Sequence, residues 1–132
     1  MSFDIWLCRW REGVEAPFDR AEFEAVFGPR IILRTPRFVR ARFDVGEADI
    51  YVGEGPRIQT MMLNHVGPGA FDSIFGLMER TGSALFWASR PPCLAVTDAA
   101  IIPHLHPGMV PSIGPAHVVR SGQELIAIIE GG

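Results

Sequence analysis

Apolar and polar residues alternate along several short segments of the chain, which is the pattern of strands with one buried face. Val39, Ala41 and Phe43 are apolar and lie two residues apart. Arg40 and Arg42 occupy the positions between them, so a strand here buries one face and presents arginines on the other. Similar reasoning predicts strands in segments 31–33, 48–52, 58–66, 84–88, 93–96 and 116–120, and a strand covered on both faces in segment 3–10.

Helices are predicted where apolar residues recur every three to four positions behind capping signals. Asp19 and Glu22 have the spacing of a capping box, and so do Ser121 and Glu124. These signals predict a first helix that ends at Gly28-Pro29, a second over 70–81 that ends at Gly82, a short one capped by Asp98, and a terminal helix.

The order of these elements, β-α-β-β-β-α-β-β-α-β-α, predicts the fold class. We expect one α+β domain over residues 1–132, with a mixed, mostly antiparallel sheet and three to four helices packed on it. A chain of this length can build a core without disulfides or a metal. Segment 11–16 is predicted to be a polar loop, and segment 103–115, with four prolines, an irregular ordered loop.

Composition and charge narrow the class of protein. Hydrophobic residues make up 48% of the chain, which argues against disorder. All 12 basic residues are arginine and the net charge is −3, so a general nucleic-acid binder is not expected. We find no signal-peptide pattern, no apolar run long enough to span a membrane and no C-x-x-C motif. The expected location is therefore the cytoplasm, and the arginine usage suggests a bacterial source with a GC-rich genome.

The most distinctive local feature is a run of five arginines within 13 residues, between positions 30 and 42. Arg40 and Arg42 project from the same strand face at a spacing of about 7 Å. They can grip a phosphate, a carboxylate or an acidic protein. Phe38 shares that face, and arginines beside an aromatic ring on a sheet are also typical of RNA binding. The competing interpretation is a solvated face on which the arginines pair with Asp44, Glu47 and Asp49. The residues predicted to bind a partner are Arg37, Phe38, Arg40 and Arg42.

Three histidines near the C-terminus form a second, weaker candidate site. His104 and His106 share a face if they lie on a strand, where two imidazoles can bind a metal. A third ligand would come from His65, His117, Cys93 or Asp98. Prolines on both sides disfavour a regular strand, so the competing interpretation is a pair of exposed loop histidines. The predicted ligand or metal residues are His104, His106 and His117.

Other features have plainer interpretations. Cys8 and Cys93 fall in predicted strands and are interpreted as buried structural residues, because neither has the local signature of a thiol enzyme. Trp6, Trp10, Phe86 and Trp87 either line an apolar pocket or belong to the core, and we interpret them as core. The terminal Gly131-Gly132 is how ubiquitin-like carriers end, but the element order does not suit a compact β-grasp.

Together these observations favour a non-catalytic protein-interaction module of the immunity or adaptor type, which needs no cofactor. Its arginine-bearing strand face would bind an acidic protein, and self-association is also expected. The first alternative is a small-ligand-binding protein or enzyme with a site in segment 104–117. The second alternative is an RNA-binding sheet.

Overall fold

The structure, a computed structural model, describes residues 4–131. In that range the chain forms twelve strands: β1 (Ile5–Cys8), β2 (Trp10–Arg11), β3 (Val14–Glu15), β4 (Phe18–Asp19), β5 (Ile31–Arg34), β6 (Val39–Arg42), β7 (Glu47–Tyr51), β8 (Arg57–Ile58), β9 (Thr60–Asn64), β10 (Ala84–Trp87), β11 (Leu94–Val96) and β12 (His117–Val118). Its α-helices are α1 (Arg20–Phe27), α2 (Ala70–Thr81), α3 (Met109–Ile113) and α4 (Gly122–Gly131), with 3₁₀ helices at Gly28–Arg30 and Ala99–His104.

Eight strands form the central sheet, in the order β12-β11-β10-β1-β9-β7-β6-β5. Neighbouring strands are antiparallel except β11 and β12, which are parallel. The remaining strands form two small ribbons, β2 with β3 and β4 with β8. The predicted α+β class with a mixed, mostly antiparallel sheet is confirmed.

One face of the sheet is buried beneath α1, α2 and α4. Val39 and Ala41 on β6 and Ile50 on β7 are buried there, as the alternation predicts. The helices contribute the aromatic and aliphatic side chains that fill the space above the strands. Those that are fully buried or nearly so include Phe23, Phe27, Phe71, Ile74, Leu77, Leu125 and Ile129.

The opposite face is covered only over β10 and β11. A smaller apolar cluster there buries Leu94, Val96 and Leu105 beneath α3 and the 3₁₀ helix Ala99–His104. From β1 to β6, side chains on this face are half-buried or exposed, except Cys8 at the end of β1, while their neighbours along each strand are buried. We call this region, from β1 to β6, the open face. The expectation that segment 3–10 is covered on both faces holds for Cys8, which is 2% exposed, but not for Trp6, which stays only half-buried.

Two predicted loops contain regular structure. Segment 11–16 was expected to be a loop, but Trp10–Arg11 and Val14–Glu15 form a hairpin around Glu12 and Gly13. Both turn residues have positive φ angles, 51° and 82°, which a two-residue hairpin of this type requires. Glutamate rarely occupies the first of these positions, so the turn carries little sequence signal. Segment 103–115 contains the five-residue α3, which ends at Gly114.

The capping predictions hold for two helices and fail for one. Ser121 Oγ accepts a hydrogen bond from the Glu124 N–H at 3.1 Å, and Asp98 accepts one from the Ala100 N–H at 2.9 Å. Asp19 stands at the N-cap of α1, but its side chain makes no capping hydrogen bond. Its carboxylate lies 3.4 Å from the guanidinium of Arg57 on the paired strand β8, which accounts for the difference.

The outer edge of the sheet at β5 is interrupted. The pairing of β5 with β6 shifts register between Ile31 and Leu33, which leaves Ile32 48% exposed and Leu33 41% exposed. Pro29 and Pro36 flank the strand. A short edge strand with a bulge and flanking prolines is a poor template for another strand.

Two glycines fix where α2 starts relative to the sheet. The Gly67 N–H donates to the Glu47 carbonyl oxygen at 2.7 Å, and a Cβ on Gly67 would lie 2.7 Å from the Gly46 Cα. The two atoms nearest to that Cβ, Gly46 Cα and Glu47 N, belong to the backbone and cannot rotate away. The short connection after β9 therefore requires glycine at position 67.

We expect Gly67→Ala to lower the free energy of unfolding by about 2 kcal/mol, because the added methyl overpacks two backbone segments. The matched control is Gly76→Ala inside α2, where a Cβ meets no atom within 4 Å. That variant should gain about 0.5–1 kcal/mol, since alanine loses less backbone entropy in a helix. Urea denaturation measures both, and an equal effect of the two substitutions would contradict this account of Gly67.

In residues 4–131 no helix is both long enough and apolar enough to cross a membrane.

Candidate interaction surface

A row of large apolar side chains runs at right angles to the strands, from β10 at the covered margin of the open face to the start of β6. Trp6 on β1 stands in register between Phe86 on β10 and Met62 on β9. Tyr51 on β7 lies opposite Met62, and Phe38, just before β6, contacts Tyr51. All five side chains are half-buried. We call these five residues the apolar row.

The rings of the apolar row hold one another in place. Trp6 and Phe86 stack with ring centroids 5.6 Å apart and planes 14° apart. Phe38 lies 5.5 Å from Tyr51, and the Arg40 guanidinium carbon lies 5.6 Å from the centroid of Phe38. Such contacts each contribute roughly 0.5–1 kcal/mol beyond area burial. Each of the four rings is therefore held by a neighbouring ring.

Charged pairs lie alongside the apolar row. Arg40 Nε donates to Asp49 at 2.7 Å, and Arg42 Nε donates to Glu47 at 3.0 Å. His65 Nδ1 lies 3.3 Å from the second Asp49 oxygen. The structure thus shows the pairing that the competing interpretation of the arginine run describes, and Arg30 pairs with Asp44 in the same way.

The Arg40 guanidinium holds the pKa of the Asp49 carboxyl below its ordinary value, with a smaller lowering by His65. The side chain of Asp49 is only 13% exposed, and its burial opposes this shift. Asn64 is the cross-strand neighbour of Asp49, and its buried Oδ1 has no hydrogen-bond partner in the described part of the chain. The Arg40–Asp49 pair and the Asn64 Oδ1 acceptor thus lie next to the apolar row.

The four residues predicted to bind a partner are not all on one surface. Phe38, Arg40 and Arg42 lie on the open face, as expected. Arg37 lies in the turn between β5 and β6, and its exposed guanidinium forms no ion pair with any residue in 4–131. Arg34 turns to the helix side of the sheet, where it binds Glu24 at 2.7 Å.

The three predicted ligand or metal residues are separated. His104 lines a cleft of about 530 Å³ beside Trp10, and its Nδ1 accepts the Glu12 N–H at 3.1 Å. His106 Nδ1 accepts the Gly108 N–H at 3.0 Å, next to a different depression. His117 lines a third, near α4. No group of three or more His, Cys, Asp or Glu side chains within residues 4–131 is arranged to hold a metal ion.

Both cysteines are buried and free. Burial is the largest cause of the raised pKa of the Cys8 thiol, and the neighbouring Glu15 carboxylate raises it further. Cys8 Sγ lies 3.3 Å from Thr60 Oγ1. A buried thiol with a raised pKa is a poor nucleophile.

Sequence reasoning missed Trp6, Met62 and Tyr51 as surface residues. The sequence interpretation assigns Trp6, Trp10, Phe86 and Trp87 to the core; of these Trp87 is buried, whereas Trp6 and Phe86 are only half-buried. The one available signal was the alternation in β7 and β9, where Tyr51 and Met62 share a face with charged and polar residues.

We expect Asp49→Asn to destabilise the protein at pH 7 and to make less difference as the pH falls. The pKa of Asp49 is lower in the folded than in the unfolded protein, where it is about 3.9. The stability it contributes is therefore complete above pH ~4 and disappears as the pH falls through the folded-state value. Urea denaturation at several pH values checks this. Asp44→Asn is the control, since that carboxylate is 93% exposed, and a pH-independent cost of Asp49→Asn would contradict the assignment.

We expect the folded protein to react slowly with a thiol reagent at neutral pH, and both cysteines to react at once in urea. Burial excludes the reagent, and the raised pKa of Cys8 keeps its thiol protonated. Absorbance after addition of an aromatic disulfide reagent reports the rate. Rapid reaction of one thiol in the native protein would argue against this interpretation.

Comparisons of the chain with protein-family models, with curated proteins and with solved structures give no match.

Proposed function

We propose that this chain is a protein-interaction module that binds its partner through the open face. The observation that carries the proposal is the apolar row, which places three half-buried aromatic rings and a methionine on the open face, with Phe86 at its covered margin. Aromatic residues, methionine and arginine are enriched in protein interfaces.

The layout of the open face supports this proposal. An interface needs an apolar centre that excludes water and a polar rim that sets orientation. The apolar row supplies the first, and the pairs Arg40–Asp49 and Arg42–Glu47 supply the second. Arg42 is 65% exposed even when paired, so its remaining N–H groups can reach a partner.

The electrostatics suit binding better than proton transfer. Arginines lower the pKa of both carboxyls that depart clearly from ordinary values, Asp49 and Glu24. These shifts move both pKa values away from neutrality, whereas the pKa values of general acids and bases are tuned towards it. We therefore propose a non-catalytic role.

An RNA-binding sheet is less well supported. Single-stranded RNA stacks its bases on exposed aromatic faces. Here Trp6 and Phe86 cover one face of each other, and Arg40 lies over Phe38. If RNA binding were the function, the affinity for a single-stranded oligonucleotide would be measurable and would fall steeply with salt.

A small-ligand site has one observation in its favour. The cleft beside His104 and Trp10, at about 530 Å³, falls within the usual size range of ligand pockets. A bound molecule that copurifies with the protein and is lost in His104→Ala would favour this function over the open face.

The test of the main proposal is site-specific photocrosslinking in the native host. A photoreactive phenylalanine analogue at position 51 or 38 should crosslink the same protein from both positions. The same analogue at Ala25 on α1 or Ala127 on α4, both exposed, should not crosslink it. A second copy of this chain as the crosslinked protein would assign the open face to self-association.

Affinity then measures the contribution of the row. With the captured partner purified, Tyr51→Ala should weaken binding about tenfold or more, the loss typical of a central interface residue. Ala127→Ser should leave it unchanged. No crosslink from the open face, or equal binding by both variants, would refute the proposal.

A further inference from the structure

A small depression with a positive charge adjoins the open face at the start of β6. The turn after β5, the start of α1 and the turn after β7 meet there and enclose about 170 Å³. Arg20, Arg34 and Arg37 line it, and so does Phe38 from the apolar row. We call it the basic depression.

The charge of Arg20 is not neutralised by a carboxylate bonded to it. Its guanidinium donates to the carbonyl oxygen of Gly53 at 2.6 Å and to that of Gly55. These bonds hold the group in place while its positive charge remains. A fixed guanidinium of this kind loses little entropy when it binds an anion.

The other two arginines differ in their pairing. Arg34 makes two hydrogen bonds to the Glu24 carboxylate, at 2.7 and 3.1 Å. Arg37 is exposed, and its guanidinium forms no hydrogen bond or ion pair within residues 4–131. Glu54 also lines the depression and offsets one charge, so one positive charge remains.

The distribution of charge along the chain agrees with this local excess. Segment 30–54 carries five arginines and four acidic residues, whereas the whole chain has a net charge of −3. This end of the sheet is therefore positive and the remainder of the molecule carries −4. An acidic group approaching the protein is directed to this end.

We infer that the basic depression binds a carboxylate side chain of the partner protein, beside the apolar contact made by the open face. The inference rests on the proposed function. Phe38 lines the depression and also contacts Tyr51, so the basic depression lies next to one end of the apolar row. The planar N–H groups of arginine match the two oxygens of a carboxylate.

The test uses a capped hexaglutamate peptide as the probe, with capped hexaglutamine as its neutral counterpart. Nuclear magnetic resonance of the ¹⁵N-labelled protein follows the backbone amides. We expect saturable shifts at residues 35, 37, 38 and 52–55 with hexaglutamate and none with hexaglutamine. Arg37→Gln should weaken hexaglutamate binding about tenfold, the usual loss for one charged hydrogen-bonding group.

Arg120→Gln is the matched control, since Arg120 is exposed and lies beside β12, the opposite edge of the sheet. It removes the same charge and should leave hexaglutamate affinity unchanged. Equal weakening by both variants would show a general charge effect and overturn the assignment. Unchanged binding by Arg37→Gln, or no saturable shift at all, would also overturn it.

Inorganic phosphate is titrated separately. If it shifts the same amides at lower concentration than hexaglutamate, the carboxylate assignment is wrong and the depression binds phosphate. This inference can fail while the proposed function stands. If the partner crosslinked from position 51 binds Arg37→Gln and wild type equally, the proposed function is retained and the inference is wrong.

Discussion

The packing of α1, α2 and α4 against a single face of the sheet is the constraint on which the rest of the structure depends. Side chains alternate between the faces of a strand. Once Val39, Ala41 and Ile50 face the helices, the residues between them must face the other way. Arg40, Asp49 and Tyr51 are thus placed on the open face by the burial of their neighbours, whatever their own role.

Two kinds of contact, ring contacts and ion pairs, link neighbouring strands on this side of the sheet. Ring contacts link Trp6 to Phe86 and Phe38 to Tyr51 across neighbouring strands. Ion pairs such as Arg40–Asp49 link β6 to β7 but are partly solvated, since the Arg40 side chain is 37% exposed. Such partly solvated pairs contribute less to stability than buried apolar area does. The ion pairs chiefly fix the orientation of their side chains, while the apolar surface is where the proposed association would gain free energy.

Much of the fold follows from local patterns in the sequence. The alternation in β6 identifies the arginine-bearing face, and the capping box at Ser121 and Glu124 identifies α4. These features are predictable because strand alternation and capping depend on residues close together in the chain. The same holds for α2, whose last residue is followed by Gly82 in a left-handed conformation.

The candidate site is less accessible to such reasoning because it depends on distant packing. Whether Trp6 is buried depends on how far the cover formed by α3 extends over the sheet, and α3 lies about a hundred residues further along the chain. The partners of Arg20 are likewise 33 and 35 residues away. The glutamate turn at Glu12 was missed for a different reason, since that residue gives no conformational signal.

The register shift and the flanking prolines at β5 limit how another protein could add a strand to this edge of the sheet. A partner that extends a sheet bonds to backbone groups, which every sequence offers alike. The register shift after Ile31 and the flanking prolines obstruct that approach at β5, so strand addition at this edge does not compete with the proposed binding through side chains of the open face. Under the proposed function, selectivity follows the identities of those side chains. Substitutions at a few of these positions would then change the preferred partner, while the buried scaffold stays unchanged.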